Sequence, residues 1–139
     1  MRVLLDTHAF LWLVTDDPRL SATAKSVFLD NDNELLVSAA TSFEIAVKHS
    51  LGKLVLREPP ETFLHNRIFA NALTPFPITI EHCLPLAKLP FHHRDPFDRL
   101  LVAQALSENL PLLSADDSVI RLCAANAMLA QHSPQEWRT

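Results

Sequence analysis

The sequence predicts an α/β fold, a three-layer α/β/α sandwich with a central, mostly parallel sheet, in one domain over residues 1–139. Short apolar runs rich in branched side chains alternate with segments in which apolar residues recur at helical spacing. Parallel neighbours require crossover connections, and helices supply them on both faces of a sheet. A chain of 139 residues also suffices for one hydrophobic core.

The first predicted unit is a strand followed by two helices. RVLL (2–5) is apolar and branched, as in buried strands, and the polar sequence DTH ends it. HAFLWLV (8–14) predicts a short helix. A second helix is predicted over 21–30, where Ser21 is a suitable N-cap.

The next unit repeats the order of strand and helix. ELLVS (34–38) predicts a second buried strand, and a helix over 39–53 should end at Gly52. We expect the apolar residues at helical spacing in this helix to face the core: Phe43, Val47 and Leu51.

Prolines mark the middle of the chain. They begin a predicted helix over 57–73 and bound an extended segment or edge strand over 74–79. The segment 80–89 has a helical pattern that Pro85 interrupts.

The last predicted elements are two helices and two strands. DRLLVAQALSEN (98–109) is a strongly patterned helix with an acid in its first turn, and LPLLS (110–114) is a short strand. A final helix is predicted over 117–126 and a final strand over 127–131.

Composition limits the function classes. The 12 lysines and arginines against 16 acids give a net charge of −4, which argues against holding nucleic acid by bulk charge. The sole glycine, Gly52, excludes P-loop and GxGxxG phosphate sites. No apolar run is long enough for a membrane span or a signal peptide, and Cys83 and Cys123 are expected to be buried thiols. We therefore expect a cytoplasmic protein with no membrane partner.

Four acidic residues follow predicted strands or lie near the starts of predicted helices, at the edge of the sheet where the parallel strands end. The four are Asp6, Glu44, Asp98 and Asp116. Carboxylates that share a pocket repel one another unless a cation neutralises them, and oxygen ligands favour a hard ion, Mg²⁺ or Mn²⁺. Such an ion can acidify a water and stabilise charge on a phosphodiester, so the pattern predicts hydrolysis of a nucleic-acid backbone. The sequence-local cations for RNA contact are Lys48, Lys53, Arg94 and Arg99.

Each acid taken alone also has a structural explanation. Asp98 could complement a helix dipole, and Thr41 with Glu44 fits a capping box. Asp95 precedes a proline and could organise a loop or support a ligand. Zinc at His92 and His93 is disfavoured, because adjacent histidines point apart and no ligand pair with suitable spacing exists elsewhere.

Four segments in this order resemble the PIN-domain family, most closely its VapC-type toxin ribonucleases: LLDTHAFLW, SFEIAVK, HRDPFDRLLVAQAL and LLSADD. The resemblance runs from about residue 1 to 130 and implies a Mg²⁺- or Mn²⁺-dependent endoribonuclease that forms a homodimer and binds a cognate antitoxin. Residue by residue, it assigns both catalytic and metal-binding roles to Asp6, Glu44, Asp98 and Asp116.

Two departures from the family pattern accompany these assignments. Ser114 replaces a threonine and keeps the hydroxyl, and Asp117 beside Asp116 leaves two acids to choose between. Thr7, next to Asp6, could orient a carboxylate or a water.

Alternative functions remain open at this point. A PIN domain can act in RNA processing rather than as a toxin, or the acids could serve a catalytically silent protein-binding module. A dehalogenase-like phosphatase is weakened because Thr7 and His8 follow Asp6, without the second acid of a DxD motif.

Overall fold

The computed structural model describes residues 1–89, 95–114 and 119–121, and its centre is a five-stranded sheet. In space the strands follow the order β3-β2-β1-β4-β5. Their bounds are Arg2–Leu5 (β1), Glu34–Ser38 (β2), Thr74–Phe76 (β3), Pro111–Leu113 (β4) and Val119–Arg121 (β5). The first four are parallel, and β5 pairs antiparallel with β4. The predicted mostly parallel sheet is confirmed.

In the part of the chain that the structure describes, six α-helices and one 3₁₀ turn surround the sheet. The helices are Thr7–Val14 (α1), Ala22–Leu29 (α2), Ala39–Ser50 (α3), Pro60–Ala70 (α4), Ile80–Cys83 (α5) and Pro96–Ser107 (α6), and the turn is Leu84–Ala87. Ser21 caps α2, as the sequence predicts, by accepting a hydrogen bond from the Ala24 backbone N–H. No helix in the described part of the chain combines the length and apolarity that a membrane crossing requires.

Successive side chains of each strand point to opposite sides of the sheet, and both sides are apolar. Leu4, Leu36 and Leu112 lie in register across three neighbouring strands and pack with the buried side of α6. On the opposite face, Val3 and Leu5 pack with Phe10 of α1 and with apolar residues of α2 and α4. Because side chains alternate between the two faces of a strand, one parallel sheet holds two layers of helices. The three-layer prediction is confirmed.

The helix predicted over 117–126 is wrong where the structure describes it. Residues Val119–Arg121 form a strand whose register pairs Leu113 with Val119. Valine and isoleucine favour strands, and pairing here satisfies backbone groups at the outer edge of β4 that would otherwise lack a ladder partner. The strand predicted over 127–131 lies outside the described residues.

The predicted buried face of α3 is also wrong. Phe43 and Leu51 are 60% and 62% exposed, whereas the helix buries Ala40, Thr41 and Glu44 together with Ile45. Thr41 and Glu44 can be buried because their polar atoms have hydrogen-bond partners inside the fold. Cys83 is exposed rather than buried, and Cys123 lies outside the described residues.

A chain of buried polar side chains joins α3 to α6. The Ser38 hydroxyl accepts from the Ala40 N–H at 2.9 Å and donates to Gln104 Oε1. The Gln104 amide donates to the Pro77 carbonyl and to His82 Nδ1, both at 3.3 Å. Since His82 Nδ1 accepts from backbone and amide donors, its Nε2 carries hydrogen and donates to Glu108. This Ser38–Gln104–His82 network crosses the apolar layer without leaving Gln104 unsatisfied.

Candidate active site

Asp6 is fixed where the central strand meets the first helix. Its backbone N–H donates to the Leu113 carbonyl at 3.0 Å, which extends the pairing between β1 and β4. Its Oδ1 accepts from the Ala9 N–H at 2.6 Å, so Asp6 is the N-cap of α1. The residue is only 1% exposed. A carboxylate held this way is buried at the carboxyl end of the sheet, where α/β folds place their binding crevices.

Thr7 joins Asp6's helix to α3 through the buried acid Glu44. The Thr7 hydroxyl donates to Glu44 Oε1 at 2.7 Å and lies 3.1 Å from the Thr41 hydroxyl. Because the only Thr7 hydroxyl hydrogen goes to Glu44, Thr41 is the donor in the second contact. The capping-box interpretation of Thr41 and Glu44 is wrong, since Ser38 is the N-cap of α3. Thr41 belongs to this site, although its sequence context predicts only a role in a helix cap.

Lys48 contributes a positive charge to the same place. One turn after Glu44, its ammonium group forms an ion pair with Glu44 Oε2, so the two side chains share one face of α3. The hydrogen bond that Lys48 donates to Glu44 raises the pKa of Lys48, and the charges of Asp95 and Asp98 act in the same direction. Glu44 is 2% exposed, so its burial depends on these partners.

Asp98 lies in the first turn of α6, three residues after the residue that caps that helix. Asp95 is the N-cap and accepts from the Phe97 N–H at 2.8 Å, and Pro96 begins the helix. Burial, together with the charges of Asp95 and Glu44, raises the pKa of the Asp98 carboxyl to about 7, although the charge of Lys48 opposes the change. Asp98 therefore shares its surroundings with Glu44 on α3, although the two residues are far apart in the sequence.

The raised pKa of Asp98 predicts a specific dependence of stability on pH. The folded state binds this proton more tightly than the unfolded chain, whose carboxyl titrates near 3.8. The stabilisation is complete below that pH and is lost as pH rises through about 7. Without divalent cations, we expect the loss between pH 5 and pH 8 to be about 1–2 kcal/mol after allowance for solvent screening of a half-buried group.

Urea unfolding at several pH values in the presence of a chelator measures this loss. Asp98→Asn does not titrate and should remove this part of the pH dependence. Parallel stability curves for the two proteins would contradict the prediction.

The other predicted site residues have different positions. Ser114 is buried at the end of β4, and Lys53 is exposed beyond the carboxyl end of α3. The Arg99 guanidinium donates to the carbonyls of Leu86 and Leu89 at 3.3 and 3.5 Å, which secures the segment before α6. Three of the predicted site residues lie outside the described residues: Arg94, Asp116 and Asp117.

The described residues bring acids from three elements to one end of the sheet. Asp6 adjoins Thr7, Thr7 binds Glu44, and Glu44 acts electrostatically on Asp98. Over residues 1–89 and 95–114, no three acidic, histidine or cysteine side chains are arranged as a finished metal site. Instead, both Glu44 oxygens have protein partners, Thr7 and Lys48. In this arrangement Lys48 already supplies a positive charge to Glu44.

Comparisons with known proteins agree with this architecture. A family model described as the PIN domain matches residues 3–125. Ribonuclease VapC16 of Mycobacterium tuberculosis (strain ATCC 25618 / H37Rv) is 33% identical over 69 residues, which cover 47% of this chain and 49% of that protein. The chain thus spans about half the length of this curated relative.

A solved structure has a similar fold. The crystal structure of VapBC2 from Rickettsia felis bound to a DNA fragment from their promoter matches with a TM-score of 0.58 and 18% identity. The match covers 81% of this chain and 86% of that chain. At this level of identity, the similarity shows that the two chains share a fold.

Proposed function

Since this chain belongs to the PIN-domain family, we propose that it is a metal-dependent endoribonuclease that hydrolyses RNA phosphodiester bonds. The observation that supports the proposal is that Thr7, the neighbour of Asp6, binds Glu44, and that the charge of Glu44 acts on Asp98. Capping alone accounts for Asp6, but it does not account for Glu44, which is buried in mid-helix. A shared acidic pocket accounts for all three.

The donor set fits a hard divalent cation, Mg²⁺ or Mn²⁺. Its side chains offer carboxylate oxygens, and burial with neighbouring negative charge already raises the pKa of Asp98. We propose Asp6, Glu44, Asp98 and Asp116 as the residues that hold the ion and carry catalysis. When bound, the ion supplies positive charge against which a phosphate can bind and a water can lose a proton.

The remaining residues of the site position these acids. Thr7 fixes one oxygen of Glu44 through its hydroxyl, and Asp95 sets the start of the helix that presents Asp98. Ser114, which follows β4, and Asp117 are proposed to support Asp116. Lys48, Lys53, Arg94 and Arg99 are proposed RNA contacts, although Arg99 also secures the preceding segment.

The likeness to Ribonuclease VapC16 and to VapBC2 favours a particular biological role. We propose that the protein is the toxin of a toxin-antitoxin pair, acts as a cytoplasmic homodimer, and is held inactive by a cognate antitoxin. A PIN domain in RNA processing would use the same chemistry. Growth arrest on expression, relieved by the product of a neighbouring small gene, supports the toxin role, and unaffected growth contradicts it.

A second candidate function is a binding module without catalysis. The ion pair between Lys48 and Glu44 favours it, because an internal cation already neutralises one acid. Calorimetry with Mn²⁺ separates the two functions. Binding at physiological concentration supports the enzyme, and its absence supports the module.

The direct test of the enzyme is RNA cleavage by the purified protein. We expect cleavage of single-stranded RNA with Mg²⁺ or Mn²⁺, loss of cleavage on chelation, and recovery when the ion is restored. Cleavage that persists in excess chelator would contradict the metal requirement. Intact RNA under all conditions would contradict the ribonuclease proposal.

A further inference from the structure

An aromatic pair lies beside the acids on the surface of the protein. The rings of Phe43 and Phe97 have centroids 5.5 Å apart and planes inclined by 57°. Phe43 directly precedes Glu44, and Phe97 directly precedes Asp98. The pair therefore joins the turns of α3 and α6 that contain the two acids.

Within this pair, Phe97 supports the ring of Phe43. Phe97 is partly buried, and its backbone N–H is bonded to the cap residue Asp95, so the ring rises from a fixed turn. Phe43 rests against that ring and remains 60% exposed. Packing on Phe97 restricts the Phe43 side chain before any ligand arrives, and a restricted contact surface loses less conformational entropy on binding.

We propose that Phe43, supported by Phe97, is a platform on which a base of single-stranded RNA stacks beside the phosphate to be cleaved. This inference rests on the proposed ribonuclease function and adds a positioning residue to it. Stacking suits this protein, because a chain of net charge −4 repels the RNA backbone at long range and needs attraction that does not depend on charge. The partly exposed Lys48 ammonium, one to two turns along α3, supplies a local positive charge.

RNA is the favoured occupant because the pair is continuous with the acidic pocket. We expect a base stacked on Phe43 to bring its adjoining phosphate towards Asp98, because the ring contact joins the turns of α3 and α6 in which the charge of Glu44 acts on Asp98. Base stacking is also tolerant of sequence, because every base presents a flat face. A protein partner on the same surface would instead require apolar contact without the need for an aromatic ring.

Three substitutions at one position separate stacking from apolar contact. Phe43→Ala removes the ring, Phe43→Leu keeps apolar volume without a flat face, and Phe43→Tyr keeps the ring. We expect Ala and Leu to weaken binding of a fluorescein-labelled single-stranded RNA by about 5- to 150-fold, and Tyr to bind like the unsubstituted protein. Anisotropy measures binding, and cleavage kinetics should show the change in KM more than in kcat.

Phe69→Ala is the matched control. Phe69 is 90% exposed but lies on α4, in a groove with Leu73 and Phe76. This substitution should leave RNA binding unchanged. Gel filtration of each variant tests whether Phe43 instead holds another protein copy, and a change of oligomeric state in Phe43→Ala would overturn the RNA platform.

The outcomes also separate this inference from the function on which it rests. Cleavage with equal KM and binding in all Phe43 variants would overturn the platform and leave the ribonuclease intact, as would full binding by Phe43→Leu. Ring-dependent RNA binding without cleavage would overturn the ribonuclease and support the platform. Absence of RNA binding by the unsubstituted protein would overturn the platform.

Discussion

Replacing Asp98 by asparagine is expected to lower metal-dependent RNA cleavage by roughly a factor of 10³, equivalent to about 4 kcal/mol of lost transition-state stabilisation. Asparagine keeps the shape of the side chain but removes the charge that would bind the cation. The protein should still fold, because the substitution also removes a carboxylate whose charged form is opposed by burial and by Asp95 and Glu44. Single-turnover cleavage at saturating Mg²⁺ measures the loss.

Two further variants make the result specific. Asp32→Asn makes the same change of charge at an exposed loop position and should leave cleavage unchanged. Asp6→Asn should abolish cleavage as Asp98→Asn does, while preserving α1, because an asparagine oxygen can also accept from the Ala9 N–H. Cleavage by Asp98→Asn at the rate of Asp32→Asn would remove Asp98 from the centre.

The sequence predicts the framework of this site because local rules and the global fold agree there. Val3, Leu4 and Leu5 give β1 apolar side chains on both faces, as a central parallel strand requires, and Asp6 follows them at the carboxyl end of the sheet. Asp95 before Pro96 has the chemistry of a helix start, and the structure shows that cap. Where a strand end or a helix start fixes the position of a side chain, the spacing of residues in the sequence is sufficient to predict that position.

The orientation of α3 could not be predicted in the same way. Helical spacing favours a face through Phe43 and Leu51, yet the fold turns Thr41 and Glu44 inward. The deciding contact is the hydrogen bond from Thr7, which is 37 residues away in the chain. Periodicity counts apolar residues, whereas a buried acid is stabilised by partners that only the tertiary fold supplies.

The contacts of the cationic side chains and the position of the last short strand also could not be predicted from the sequence. Lys48 is recognisable as a neighbour of Glu44, but its ion pair with that acid depends on the burial of Glu44. Arg99 follows a proposed ligand, yet its guanidinium turns to backbone carbonyls before α6. For Val119–Arg121, pairing with β4 overrides a helical pattern. Non-local pairing decides each of these cases.

Gln104→Leu is expected to lower the free energy of unfolding by about 3 kcal/mol, because it leaves buried polar groups without a partner. Gln104 is fully buried, and its amide is bonded to Ser38, Pro77 and His82. Leucine fills a similar volume, so the loss comes chiefly from unsatisfied polar atoms and not from a cavity. Urea unfolding at pH 7 measures the change, and a loss below about 0.5 kcal/mol would contradict the prediction.

A double variant identifies the cause of this loss. Ser38→Ala removes the hydroxyl that Gln104→Leu would leave without its acceptor, so the two changes together should destabilise the protein by less than their sum. Strict additivity would mean that Ser38 and Gln104 act independently. Because β2 ends at Ser38 where α3 begins, and α6 contains Gln104, their hydrogen bond also fixes the relative placement of the helices that carry Glu44 and Asp98. The same network that stabilises the fold therefore holds the acids of the proposed centre together.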